Sequence, residues 1–309
     1  MTAANPALES ALRVGAVRYL NSRPLIERLA DDLPPGGRLT LDYPSRLADD
    51  LRSGRLDVAL VPSVAALSLA GAEILPDACV AARGPVRSVK VYFRRAPGEV
   101  RTLALDEGSR TSAALARALL AERYGVTPTR TPLPLAPTAT PDAAAVALRQ
   151  TDADAVLLIG DRAMKDPPGR FAAVWDLGEQ WNAWTGLPFV FAAWTARPGL
   201  SDSARELAAA ATRAARDRGV SRLDRLAAEA GPPLGLTADD ARDYLSRNLH
   251  FTLGPAERAG LSLFRDLCER NGLLSPSSPP TAAASRRFRL PAASTESRPT
   301  STPALQEVI

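Results

Sequence analysis

A chain of 309 residues, 46% of them hydrophobic, holds apolar material for about two domains and excludes a wholly disordered protein. Of its net charge of +4, half comes from residues 275–309, where Arg286, Arg287, Arg289 and Arg298 meet only Glu296 and Glu307; the nearly balanced body lacks the basic patch that nucleic-acid binding requires. Two distant cysteines, Cys79 and Cys268, and a single histidine, His250, argue against a disulfide framework, a zinc site and any multi-histidine metal centre.

The first twelve residues carry no basic stretch followed by an apolar one, which predicts no secretory signal and a cytoplasmic protein. An apolar run at 12–20 reads as a strand, and Pro24 as an early residue of the helix after it. Residues 38–43 read as a strand, 45–53 as a helix capped by Ser45 and ended by Gly54, and 58–62 as a buried strand, with Ser63 capping the next helix. The most apolar long stretch, 61–82, contains Glu73 and Asp77 and is cut by Pro62 and Pro76, so it does not make a membrane span. Two extended segments, 78–82 and 88–93, flank a turn at Gly84 and Pro85.

A second unit begins with a strand at 103–106, then Ser109 as the cap of an Ala/Leu-rich helix that Gly125 stops. The Pro-rich stretch 127–141 reads as a connector with one short strand, 142–150 as a helix, 155–159 as a central parallel strand and 172–177 as another strand. The apolar run 187–194 is a strand returning the chain to the first lobe. Beyond Pro198 the pattern is helical, with caps at Ser201 and Thr237 and an opening proline at Pro255, and no further strand is evident. Residues 275–309 turn to Pro, Ser, Thr, Ala and Arg without periodicity and read as a disordered tail.

This order predicts a two-lobed α/β fold whose two crossovers form a hinge beside an interlobe cleft, with 12–98 and 190–274 in one lobe and 99–189 in the other. Four segments place polar groups where such sheets bind ligands. Tyr19, Asn21 and Ser22 stand at the end of the first strand and the start of the next helix, and the Asn21 amide donates hydrogen bonds without titrating. Ser109, Arg110, Thr111 and Ser112 open a helix whose free N–H groups suit an anion, although Ser109 serves equally well as a plain cap. Ser88 follows a turn at the start of a strand. Gly160 and Asp161 end a buried strand, where the glycine permits close backbone approach. Trp181 and Trp184 suit closure over an unsaturated ring, but four tryptophans in one chain more often pack a core. P-loop, GxGxxG, GxSxG and HExxH signatures are all missing.

Taken in order, VRYLNSRP (17–24), DVALVPS (57–63), GPVRSV (84–89), LDEGSRTS (105–112), IGD (159–161) and WTGLPFVF (184–191) resemble the chorismate dehydratase family. The resemblance implies a type 2 periplasmic-binding-protein-like fold. It implies removal of water from chorismate to give 3-[(1-carboxyvinyl)oxy]benzoate, in the futalosine route to menaquinone, with neither metal nor organic cofactor. By position, Asn21 and Ser88 become the polar pair at the reacting centre, Ser109, Thr111 and Ser112 the carboxylate cradle with Arg110 beside them, and Tyr19, Ser63, Gly160 and Asp161 further substrate contacts. The chain departs from the family in its tail and in the basic stretch 90–95, both outside the matched motifs. With one histidine and no lysine or cysteine in the motifs, the substrate's own enolpyruvyl carboxylate is the expected proton acceptor. Two other readings share this fold: a non-catalytic binding protein for a small carboxylate, and a dihydroxynaphthoate synthase-type enzyme of the same pathway, whose Cys-Pro-Asn-Asp-type opening is missing here.

Overall fold

The computed structural model describes residues 11–106, 108, 110–133, 135 and 140–274. The expected tail and the expected cap Ser109 lie outside them. The chain runs through β1 (Arg13–Val17), α1 (Leu29–Asp32), β2 (Arg38–Asp42), α2 (Pro44–Arg52), β3 (Val58–Pro62), α3 (Ser63–Ser68) and β4 (Glu73–Ala82). It then crosses into β5 (Val89–Phe93), β6 (Thr102–Leu105), α4 (Arg110–Tyr124), β7 (Thr129–Pro132), α5 (Pro141–Gln150), β8 (Ala155–Ile159), β9 (Ala173–Asp176) and α6 (Leu177–Thr185). It returns through β10 (Phe189–Ala196) to α7 (Asp202–Val220), α8 (Leu223–Ala230), α9 (Ala238–Asp243), β11 (His250–Leu253) and α10 (Pro255–Arg270).

Two sheets result, one ordered β11-β4-β10-β3-β1-β2 and one ordered β7-β6-β8-β5-β9, and each with its packed helices forms a lobe. The unbroken apolar runs VALVP and AVLLI, buried at every position, occupy interior places as β3 and β8. The polar strands β2 and β7 stand at the edges. β10 runs antiparallel between β3 and β4, so the returning chain fills the middle of the first sheet rather than extending its rim. Asp57, 3% exposed, ties the ends of three strands by accepting from the Arg13 backbone and guanidinium and from Arg197 at 2.7–3.0 Å. Burial pushes its pKa up, but these hydrogen bonds prevail and hold it at about 2.

Several local expectations change. Ser45 does not cap α2, because Pro44 opens the helix behind Tyr43 and its missing N–H needs no cap. Ser63 does not cap α3; it is the first helical residue, behind Pro62. Pro24 sits inside a 3₁₀ turn, Leu20–Leu25, instead of opening an α-helix. The helical end of the chain contains a strand, β11, which pairs antiparallel with β4. Four residues with one-sided burial are too short to stand out by periodicity. The caps Ser201 and Thr237 are as read, accepting from the backbone N–H groups of Ala204 and Asp240. Among the described residues no helix is long and apolar enough to cross a membrane.

The basic stretch 90–95, expected in the first lobe, runs along and past β5 in the second sheet, where β5 pairs with both β8 and β9, and it is satisfied there. Lys90 pairs with Asp166, Arg95 with Asp154, and Arg94 donates to the carbonyls of Leu148, Thr151 and Ala153. Cys79 and Cys268 are buried free thiols, their pKa values raised by burial.

Candidate active site

Four chain segments converge between the lobes. The first is the 3₁₀ turn after β1, which carries Asn21 and Ser22. It is seated against α7 at Gly219, where a Cβ would fall 1.9 Å from the Pro24 carbonyl oxygen, so only glycine allows this approach. Ser22, 1% exposed, donates from its hydroxyl to Asn21 Oδ1 at 3.0 Å, which directs the Asn21 amino group away from Ser22.

The second segment is the crossing at 84–88. Arg87 takes a left-handed backbone, φ 62°, and the Ser88 N–H reaches back to the Val86 carbonyl at 2.7 Å. A non-glycine residue in this region is strained. Asp176 holds it there, accepting from the N–H groups of Val86 and Arg87 at 2.9 and 2.6 Å while also capping α6. Ser88 is thereby fixed, 1% exposed, with its carbonyl accepting from the Gly160 N–H.

The third and fourth segments are the first turn of α4 and the turn after β8. Thr111 accepts from the Val64 N–H at 3.2 Å, linking α4 to α3 across the lobes. Gly160, at φ 71° and ψ −157°, occupies a conformation open essentially to glycine alone, and a Cβ there would meet the Tyr19 ring at 3.3–3.4 Å. Asp161 accepts from the Leu20 N–H at 3.2 Å, a second bond between the lobes.

These segments enclose a narrow cavity of about 70 Å³. Its polar lining comes from Tyr19, Asn21, Ser22, Ser88, Thr111 and Ser112 with the backbone of Gly108 and Gly160, and its walls are apolar, Ile159 and Phe191 among them. Of the residues singled out in the sequence, Tyr19, Asn21, Ser88, Thr111, Ser112 and Gly160 are brought together here. Three are not. Ser63 is fully buried and donates to the Val190 carbonyl at 2.7 Å, Arg110 turns away to pair with Asp49, and Asp161 sits behind the wall on Leu20. Ser109 lies outside the described residues. Trp181 and Trp184 pack edge-on, Trp181 also against Phe189 and Phe264, so both serve the core.

Sequence reading missed Tyr244. It is 1% exposed, lies in a single π-turn after α9, and donates from its hydroxyl to Ser88 Oγ at 2.8 Å. Burial pushes its pKa well up, with its hydrogen bond to Ser88 pulling the other way. A lone tyrosine in a polar helical stretch carries no local signal for such a role.

The electrostatics are those of a neutral site. Tyr19 is pushed by burial to about 12 and stays protonated. Among the described residues the lining includes no carboxylate, imidazole, lysine or thiol. His250 stands apart: its Nε2 lies 3.0 Å from Arg83, a group that only donates, and burial followed by Arg83 pushes its pKa down. Burial raises Asp161 to about 6 against the Leu20 N–H and the nearby Arg23 and Arg162. A folded-state pKa above the usual carboxylate value of 3.8 stabilises the protein below that value, and this contribution is lost as pH rises through about 6. Asp161→Asn keeps an acceptor for Leu20, so thermal unfolding from pH 4 to 8 should show the variant gaining on the parent as pH rises, with no gain at pH 4.

The profile of a menaquinone biosynthesis family matches residues 12–270. A chorismate dehydratase from Thermus thermophilus is 32% identical over 271 residues, covering 82% of this chain and 93% of that protein. Among solved structures, an alkanesulfonate-binding protein from Xanthomonas axonopodis pv. citri superposes with a TM-score of 0.60 at 17% identity, covering 88% of this chain and 96% of its own. A Candida albicans protein described as having the generic periplasmic binding protein fold gives a TM-score of 0.51 at 16% identity, covering 86% and 92%. At these identities the two structures establish the fold alone, a periplasmic-binding-protein fold.

Proposed function

This chain belongs to the menaquinone biosynthesis family, and from that premise we propose that it is a chorismate dehydratase acting in the cleft between its lobes. It eliminates water from chorismate to give 3-[(1-carboxyvinyl)oxy]benzoate. The observation that carries the site assignment is the convergence of Asn21, Ser88, Thr111 and Ser112, from separate parts of the chain, on one cavity with apolar walls.

The reaction breaks a C–H bond at the ether-bearing ring carbon and a C–O bond at its hydroxyl-bearing neighbour, and an aromatic ring drives it forward. The substrate's enolpyruvyl carboxylate takes the proton, and the departing hydroxide leaves with it as water. The neutral lining supports this reading, since its described side chains offer no carboxylate, imidazole or amine base. The protein's part is orientation. The α4 N-terminus with Thr111 and Ser112 receives the ring carboxylate, and Asn21 and Ser88 hydrogen-bond the leaving hydroxyl as negative charge gathers on it. Tyr244 holds Ser88 in place from behind. The membership in a biosynthetic family supports a cytoplasmic location for this work.

Purified protein incubated with chorismate should yield an aromatic product lighter by one water, followed by absorbance and mass. Chorismate that binds and remains unchanged would instead indicate a binding protein. His250→Ala should turn chorismate over within about twofold of the parent, because His250 is outside the cavity lining; loss of turnover with binding retained would assign the base to His250 and reject the substrate carboxylate.

A further inference from the structure

A second and larger cavity, about 650 Å³, opens on the other side of α4. Its size falls within the roughly 300–1,000 Å³ of small-molecule sites. Residues of both lobes line it: Arg52, Val64 and Ser68 from one, Arg110, Arg117, Arg130 and Thr131 from the other. It is distinct from the chorismate cleft, for the hydrogen bond from Val64 N–H to Thr111 Oγ1 joins a residue lining each.

Its charges do not balance. Arg52 and Arg110 share one carboxylate, Asp49, at 3.5 and 2.9 Å. Asp106 also lines the cavity, but Arg162 engages it at 2.5 Å. Arg117 and Arg130 have no carboxylate within ion-pair distance among the described residues. Two polar atoms on lining residues, Arg117 Nε and Thr131 Oγ1, are buried without a hydrogen-bond partner. A buried donor left in this condition destabilises the fold, more so when it is charged. Burial, and after it repulsion from Arg130, push the Arg117 pKa down, as expected of two cations held near each other without a counter-charge.

We propose that this cavity is a second binding site, for a small molecule carrying a phosphoryl or pyrophosphoryl group. Guanidinium groups match phosphate oxygens in geometry, and a multiply charged oxyanion answers both the surplus of cations and the unpaired donor. Since both lobes contribute, the bound anion ties α2 and α3 to α4 and β7.

Calorimetric titration at low, fixed ionic strength, with inorganic pyrophosphate and inorganic phosphate as probes and chloride as control, tests this. The expected result is saturable binding of pyrophosphate to one site per chain, tighter than phosphate, weakened about tenfold or more in Arg130→Gln and in Arg117→Gln. Arg130 is exposed, so Arg130→Gln should keep its circular dichroism spectrum and its chorismate turnover, which separates failure of the site from failure of the fold or of the dehydratase assignment. Pyrophosphate heats no larger than those of chloride, or affinity unchanged in both variants, would overturn the proposal. So would displacement of pyrophosphate by chorismate from Asn21→Ala protein, since the two cavities would then be one site.

Discussion

Asn21→Ala should lower the turnover number for chorismate by about 10²–10³-fold, the usual effect of removing one preorganised donor to a developing anion, with a much smaller change in KM. The Ser22 hydroxyl occupies Asn21 Oδ1, so the donors on Nδ2 are the free part of the amide. The Tyr244–Ser88 bond holds a second polar group of the same cavity. Asn21→Asp provides the sharper contrast: it is nearly isosteric, but it exchanges a donor for a negative charge facing a dianionic substrate, and it should lose binding as well as turnover. A variant that kept the parent's kcat would remove Asn21 from the reacting centre. Steady-state kinetics on Asn21→Ala, Asn21→Asp and Ser88→Ala, with circular dichroism to establish folding, resolves these outcomes.

The largest loss of stability is expected from Asp106→Asn. Asp106 and Arg162 meet at 2.5–2.8 Å beneath the cleft, with side chains 1% and 3% exposed. Removing the carboxylate charge breaks a buried ion pair from one side, at a cost of about 3–5 kcal/mol. Replacing both partners with apolar residues of similar size, Asp106→Leu with Arg162→Met, should recover most of that loss, because two desolvated charges disappear together. Denaturant unfolding of Asp106→Leu, Arg162→Met and the double, alongside Asp106→Asn, closes the cycle. A double variant no more stable than Asp106→Asn would mean that the pair is held for its other hydrogen bonds rather than for its charge.

The polar turns were readable because their chemistry is local. Asn21 and Ser22 after an apolar strand, Gly160 after AVLLI, and hydroxyls at the start of an Ala/Leu-rich helix each announce a strand end or a helix start from a few neighbours. The buried strands β3 and β8 and the caps Ser201 and Thr237 were legible for the same reason. Ser63 and Arg110 stand in the same kinds of motif and do not line the cavity. What redirects them is a distant partner: the carbonyl of Val190 for one, the carboxylate of Asp49 for the other.

Residues distant in the chain supply the rest. Tyr244 reaches Ser88 across 156 positions, Asp176 pins the strained turn at Arg87 from about 90 away, and Gly219 exists for the Pro24 carbonyl. The strand β11 forms because β4 offers it an edge, not because four residues carry a pattern of their own. By itself, then, the sequence determined the α/β alternation and the polar character of the turns, since hydrophobic period and turn chemistry act over a few residues. Only the tertiary structure decided which polar groups face the cleft and which are absorbed by the scaffold, because each buried donor and acceptor takes whatever partner the packing brings within 3 Å or so.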